Sequence, residues 1–284
     1  MSTHARLRRS SPISQYAVAA ATEALGSDGE RLRSGGERLG IVLCVMSGCV
    51  NYSRRFYDET LRNPATASPL IFPETVFNAP ASHLAALVGT TAINYTIVGD
   101  TGTFLQGLAL GANWLLEDRI DGVVIVGAEE MDWLTADAFR LFSRRIIISD
   151  GAGALYLRRS ADAAGEIHLS AVTDSHLYVR KSTRAAAVQR MRSQLCSSSG
   201  SAILFDSRQG IERLDAAEGE AWSDWKGQRI SVKPILGEGL MAASAWQCVM
   251  AVKALREKLC RQALVSVVGC NQQAIGAELS RDGE

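Results

Sequence analysis

The chain has 284 residues, 47% of them hydrophobic and 21% charged, so it can bury a sizeable core and is not a disordered tail. Thirty basic residues balance thirty acidic ones, and net charge therefore gives no argument for nucleic acid or an anionic membrane surface as partner. The six cysteines, Cys44, Cys49, Cys196, Cys248, Cys260 and Cys270, form no CxxC pair, which argues against a zinc site or a disulfide framework and for reduced cytoplasmic thiols.

In chain order, residues 1–12 are polar and basic without a continuous apolar core, and are expected to fray. Ser14 is placed to cap a helix whose face is Tyr16, Ala17, Ala20, Ala21 and Leu25, ended by Gly26. A charged, Gly-rich link from Ser27 to Arg38 leads to a strand at Leu39–Val45, followed by a helix at Tyr52–Arg62 and a proline-marked loop. Ile93–Val98 reads as a strand, Phe104–Leu115 repeats apolar residues near helical period, and Gly122–Gly127 is an uninterrupted apolar run. Two strands joined through a helix imply parallel pairing. The turn Gly99-Asp100-Thr101-Gly102-Thr103 then lies at a strand's end and a helix's start, where α/β proteins place their chemistry.

A polar-apolar mix at Asp132–Phe142 precedes a strand at Ser149–Leu157. The second half predicts strand Ile167–Val172, helix Arg184–Leu195, strand Ser201–Phe205, helix Asp215–Trp222, a loop, helix Met241–Leu259 and strands Ala263–Gly269 and Ala274–Leu279. No apolar run approaches the roughly 20 residues of a membrane span, so a soluble cytoplasmic protein is expected. Leu105–Gly127 and Ala242–Gly269 are both small-residue-rich helices feeding a buried strand that ends in Gly, the pattern of a duplicated βαβ unit.

Three stretches carry a resemblance to a known family: the Thr101 turn leading to Gly127-Ala128-Glu129, the segment Ser68–Ala85 with its Phe72-Pro73 and Asn78-Ala79, and Lys233–Gly239. They resemble the β-ketoacyl synthases, members of the thiolase fold, over about residues 14–279. Ser149–Leu157 is similar to a further strand of that family, with Asp150 for the usual Glu, while Arg144–Ser149 is a shortened version of a loop near the active-site mouth. The resemblance implies an α/β fold in α/β/α/β/α layers, trimmed and without the family's opening strand. Its two duplicated ketosynthase-like halves would be residues 13–157 and 158–284.

In that family a cysteine at a helix N-terminus carries the acyl chain, and two histidines and a nearby lysine handle the thioester carbonyl and the enolate. Counting back from Gly127-Ala128-Glu129 puts Thr101 at the cysteine position, and the pair Asp215 and Glu218 puts Ser207 at the first histidine. Lys233 is kept, and Glu238 replaces the second histidine. A hydroxyl does not replace imidazole at neutral pH, and a carboxylate opposes a developing enolate unless Lys233 neutralises it or burial keeps it protonated. Gly102, Cys270 and Asn271 are the substrate-binding candidates, the last two in a stretch resembling the family's C-terminal Gly-rich turn. No metal ligand set and no cofactor is implied.

Alternatives stand beside several of these. Cys270 reads first as a small buried residue at a strand end, and second as the candidate for any covalent chemistry. Asp100 reads first as a cap for the helix at Phe104, and His83 as a hydrogen-bonded core or interface histidine, while His4, His168 and His176 match no motif. Trp114, Trp133, Trp222, Trp225 and Trp246 read as core or interface aromatics. The run Arg184–Arg192 with Lys181 reads as a solvated helix face ahead of a dock for an acidic acyl carrier protein.

The function implied is a ketosynthase-like protein of fatty acid or polyketide biosynthesis, aryl-polyene systems included. It would act as a catalytically silent, chain-length-factor-type subunit paired with an active ketosynthase, or as a dimer with itself, and would meet an acyl carrier protein. The alternative is an enzyme of altered chemistry, a decarboxylase or acyltransferase on carrier-bound thioesters using Lys233 and the N–H groups of the turn. A homodimeric binding protein for a fatty acyl or aromatic ligand is a third reading.

Overall fold

The structure, a computed structural model, describes residues 5–34, 36–159, 166–195, 202–270 and 272–281. Of the residues singled out above, His4, Cys196, Ser201 and Asn271 lie outside that set. The first half runs α1 (Pro12–Leu25), α2 (Asp28–Ser34), β1 (Leu39–Val45), α3 (Val50–Arg62), α4 (Ala79–Val88), β2 (Asn94–Val98), α5 (Thr103–Leu116), β3 (Gly122–Glu129), α6 (Trp133–Phe142) and β4 (Gly151–Arg158). The second runs β5 (Ile167–Val172), β6 (His176–Leu177), α7 (Lys181–Gln194), β7 (Ile203–Asp206), α8 (Glu212–Ala221), β8 (Arg229–Ser231), α9 (Lys233–Leu236), α10 (Met241–Arg256), β9 (Gln262–Val268) and β10 (Gln273–Arg281).

The apolar runs form the sheet centres: every residue of β1, β3 and β9 is buried, as befits strands covered on both faces. The first sheet has the order β2-β1-β3-β4, with β4 antiparallel. β2 and β3 run parallel as expected, but β1 lies between them. The second sheet has the order β5-β10-β9-β7-β8, with β6 beside β10. β10 is antiparallel to β9, as β4 is to β3, so the duplicated pattern read in the sequence is present in both sheets.

Helices α5 and α10 lie between the sheets, sharing a core with both in which Phe104, Leu108, Cys248 and Ala251 are fully buried. α1 and α4 cover the outer face of the first sheet, and α7 and α8 that of the second. The five layers are those of the thiolase-like α/β fold. Small residues on α5 permit this: a Cβ on Gly107 would stand 2.6 Å from the Cys44 sulfur, so the helix packs with its backbone against β1.

Several expectations are corrected. The N-terminal segment does not simply fray: Ala5–Arg9 is a short 3-10 helix with Leu7 buried in the core. The charged link contains α2, whose acidic first turn (Asp28, Glu30) suits a helix start. Asp132 caps α6 by accepting the Thr135 N–H, so that mixed stretch is helical. The loop before α10 carries β8 and α9. Trp114 and Trp222 are core aromatics, and Trp133, read as core or interface, is 61% exposed and so outside the core.

Candidate active site

The parallel strands end at one edge of each sheet, and the register aligns those ends: Val45 faces Val98 across β1 and β2, and Asp206 faces Ser231 across β7 and β8. The turn after β2 and the start of α5 therefore meet the ends of β7 and β9 in the middle of the molecule.

Thr101 is fully buried, and its backbone N–H and its hydroxyl both donate to Asp100 Oδ1, at 2.7 and 3.0 Å. Asp100 does not cap α5, which has no side-chain cap. Its carboxylate instead accepts the backbone N–H of Cys270 (3.1 Å), Gln272 (3.1 Å) and Gln273 (3.3 Å). It fills the space a Cβ on Gly269 would need, which explains the glycine. Gly102 is buried beneath β10, where a Cβ would come within 2.7 Å of Ile275.

Ser207, at the end of β7, is equally committed. Its hydroxyl donates to Glu218 Oε2 at 2.8 Å and accepts the Val268 N–H at 3.0 Å. Glu218 also accepts the Ser207 N–H and the Ser266 hydroxyl. Burial, then the neighbouring Asp206 carboxylate, pushes the Glu218 carboxyl above its ordinary range. Asp215, the other half of the sequence pair, accepts the N–H groups of Gln209 and Ile211 and so shapes the turn into α8.

Lys233 and Glu238 form a buried ion pair, Nζ to Oε2 at 2.7 Å, with side chains 3% and 1% exposed. Gln209 donates to the same Oε2 at 2.8 Å, and the Leu240 N–H to Oε1 at 2.9 Å. Burial, the largest single influence, lowers the Lys233 pKa, but the facing Glu238 carboxylate together with the other nearby acidic groups more than offsets it, and the net shift is upward. Leu240 is held at φ 49, a left-handed conformation that costs a β-carbon residue energy, and the Glu238 bond to its N–H pins it there just before α10. The shortened segment Arg144–Ser149 clips onto the same residue, since the Ile147 carbonyl accepts the Glu238 N–H at 2.7 Å.

These groups surround one short turn. Thr101 reaches it through Asp100, Ser207 through Val268, and Lys233 and Glu238 through their electrostatic contact with Cys270. Burial pushes the Cys270 thiol up, with Glu238 adding to the rise and Lys233 opposing it, so the sulfur is held as a protonated thiol. Cys270 lines a cavity of about 340 Å³ with Tyr178, Arg184 and Phe142 among its walls, whereas Thr101, Ser207, Lys233 and Glu238 do not line it. A smaller cavity of about 210 Å³ opens on Asp100 between Met46, Val98 and Gln272.

Two structural roles, those of Tyr178 and Glu129, were not read from the sequence. The Tyr178 hydroxyl donates to the Gly269 carbonyl, fixing the turn from the α7 side. Glu129 accepts the N–H groups of Met46 and Ser47, tying the ends of β1 and β3 together, and burial pushes its carboxyl up to about 8. The α7 arginines are not a plain solvated face: Arg192 pairs with Asp224 at 2.6 Å and lies over the Trp222 ring, and Arg184 lies over the Tyr178 ring. His83 is buried with Nε2 at 2.8 Å from Glu74, the structural arrangement expected of it. Among the described residues no cluster of His, Cys, Asp and Glu is arranged to hold a metal, and no helix is long and apolar enough to cross a membrane.

No protein-family model matches this sequence, and no curated protein matches it. Solved structures do. The ishigamide ketosynthase/chain length factor superposes with TM-score 0.81 at 18% identity, covering 97% of this chain and 82% of that one. The ketosynthase of the type II polyketide complex AntDE:AntF, solved with its acyl-carrier protein, gives 0.79 at 15% identity over 98% and 84%. A β-ketoacyl synthase from Burkholderia phymatum gives 0.76 at 15% identity over 100% and 86%. Layers, strand order and these superpositions agree: the chain has the thiolase-like fold of these ketosynthase structures.

Proposed function

We propose that this chain is a non-condensing subunit of a fatty acid or polyketide assembly system, aryl-polyene systems included, which pairs with an active ketosynthase as a chain length factor does. The carrying observation is that each hydroxyl or acid at a catalytic position is already engaged. Thr101 is bonded to Asp100, Ser207 to Glu218 and Val268, and Glu238 to Lys233, so none has a free base or a free acceptor for a reacting thioester. The alternative, a decarboxylase or acyltransferase on carrier-bound thioesters, draws on Lys233 and Cys270. The Glu238 carboxylate cancels the first, and burial disfavours the thiolate of the second.

Pairing is supported by the surface. β2 is an edge strand with Tyr95 and Val98 each 51% exposed, and Phe72 (55%) and Phe77 (45%) are further exposed aromatics of the first half. An unpaired edge carrying apolar side chains is a template for another chain. The partner is an active ketosynthase subunit or a second copy, and an acyl carrier protein serves the pair in the cytoplasm. Residues 13–157 and 158–284 are the two halves of the proposed duplication. Co-expression with a ketosynthase encoded beside it tests this. A 1:1 complex on gel filtration supports the reading, and a chain that elutes alone as a monomer under both conditions removes it.

A further inference from the structure

We propose that the cavity over Cys270 is a binding site for a small amphiphilic anion, a carboxylate or phosphate monoester head with an apolar tail. The observation is an arginine cluster without counter-charge. Arg180 and Arg184, from the start of α7, and Arg213, from α8, all line the cavity, and no aspartate or glutamate does. None of the three forms an ion pair among the described residues. Arg213 donates to the Phe142 carbonyl, and the Arg184 guanidinium is held over the Tyr178 ring at 5.7 Å, while its Nε is buried without a hydrogen-bond partner.

A buried donor on a charged group that lacks an acceptor is costly, and three like charges around one cavity repel each other. An oxyanion answers both, accepting from Arg184 and neutralising the cluster; planar guanidinium groups are suited to carboxylate and phosphate. The first turn of α7 carries no acidic residue to compete, and its N-terminus faces the same side with its own partial positive charge. Leu141, Phe142, Val179 and Leu214 supply the apolar part of the wall, and the neutral Cys270 thiol closes the inner end. At about 340 Å³ the space is at the small end for ligand sites, which suits a short tail.

The test titrates the full chain with octyl phosphate, octanoate and the neutral isostere octanol, and follows iodoacetamide labelling of Cys270 by peptide mass spectrometry. Either anion is expected to bind at least tenfold tighter than octanol and to slow Cys270 labelling, and the tighter of the two names the head group. Arg184→Gln and, as a variant at an exposed position, Arg213→Gln are each expected to weaken the anion at least fivefold and leave octanol unchanged. Octanol binding as tightly as both anions, no saturable binding of any, or unchanged Cys270 labelling at saturation would overturn the proposal. It does not rest on the pairing reading, since anion binding without a ketosynthase complex, or the reverse, sinks one and leaves the other.

Discussion

The Asp100 carboxylate accepts the backbone N–H of Cys270, 170 residues further along the chain, at 3.1 Å. With the bonds from Gln272 and Gln273 it is a strut between the two halves, holding the turn that Thr101, Ser207, Lys233 and Glu238 surround. Asp100→Asn replaces one acceptor oxygen by a donor facing backbone N–H groups. It should destabilise the protein by about 2–4 kcal/mol in urea unfolding and speed Cys270 alkylation as the turn loosens. A variant as stable as the parent would show that the strut is dispensable.

Lys233 and Glu238 are buried together, so removing one leaves the other uncompensated. Lys233→Met alone should cost about 3–5 kcal/mol, and the double variant Lys233→Met with Glu238→Leu should cost less than that single change. Denaturant unfolding of the cycle decides it. Additive losses would mean that the two charges do not depend on each other.

Glu129 carries a pH signature. Its folded pKa of about 8 lies above the ordinary carboxylate value, so folding takes up a proton between roughly pH 4.5 and 8. The stability from the neutral carboxyl is complete below the unfolded pKa and is lost as pH rises through about 8. Melting curves from pH 5 to 9 should therefore fall more steeply for the parent than for Glu129→Gln. Parallel curves would place the titration elsewhere.

The β2 edge gives a surface prediction. Val98→Lys leaves the backbone pairing to Val45 in place and adds a charge to an exposed apolar position. It should abolish association with a ketosynthase or a second copy in sedimentation velocity, with the melting temperature within about 2 °C of the parent because the position is exposed. Undiminished association would move the interface away from this strand.

Much of the fold was legible because its signals are local. β1 and β3 are unbroken apolar runs, and Gly107 and Gly111 mark a helix that approaches a sheet closely. α2 was not, since Asp-Gly-Glu-Arg reads as a charged link and its helicity comes from docking: Leu32 is buried in the core of the first half. Thr101, Ser207 and Glu238 were singled out from the sequence by motif register alone. Their present bonds were hidden, because Asp100 looks like an ordinary cap and its partners Cys270, Gln272 and Gln273 lie on the far half of the chain. The arginine cluster was equally invisible, as the adjacency of Arg213 to Arg180 and Arg184 depends on how α8 packs beside α7.

The most direct measurement is incubation of the purified chain with malonyl- and acyl-loaded carrier protein, followed by intact-protein mass spectrometry and detection of carbon dioxide, beside an active ketosynthase. The account predicts no acyl adduct on Thr101 or Cys270 and no carbon dioxide above the carrier-only blank. An adduct on either residue, or decarboxylation at a rate approaching that of the active enzyme, would contradict it.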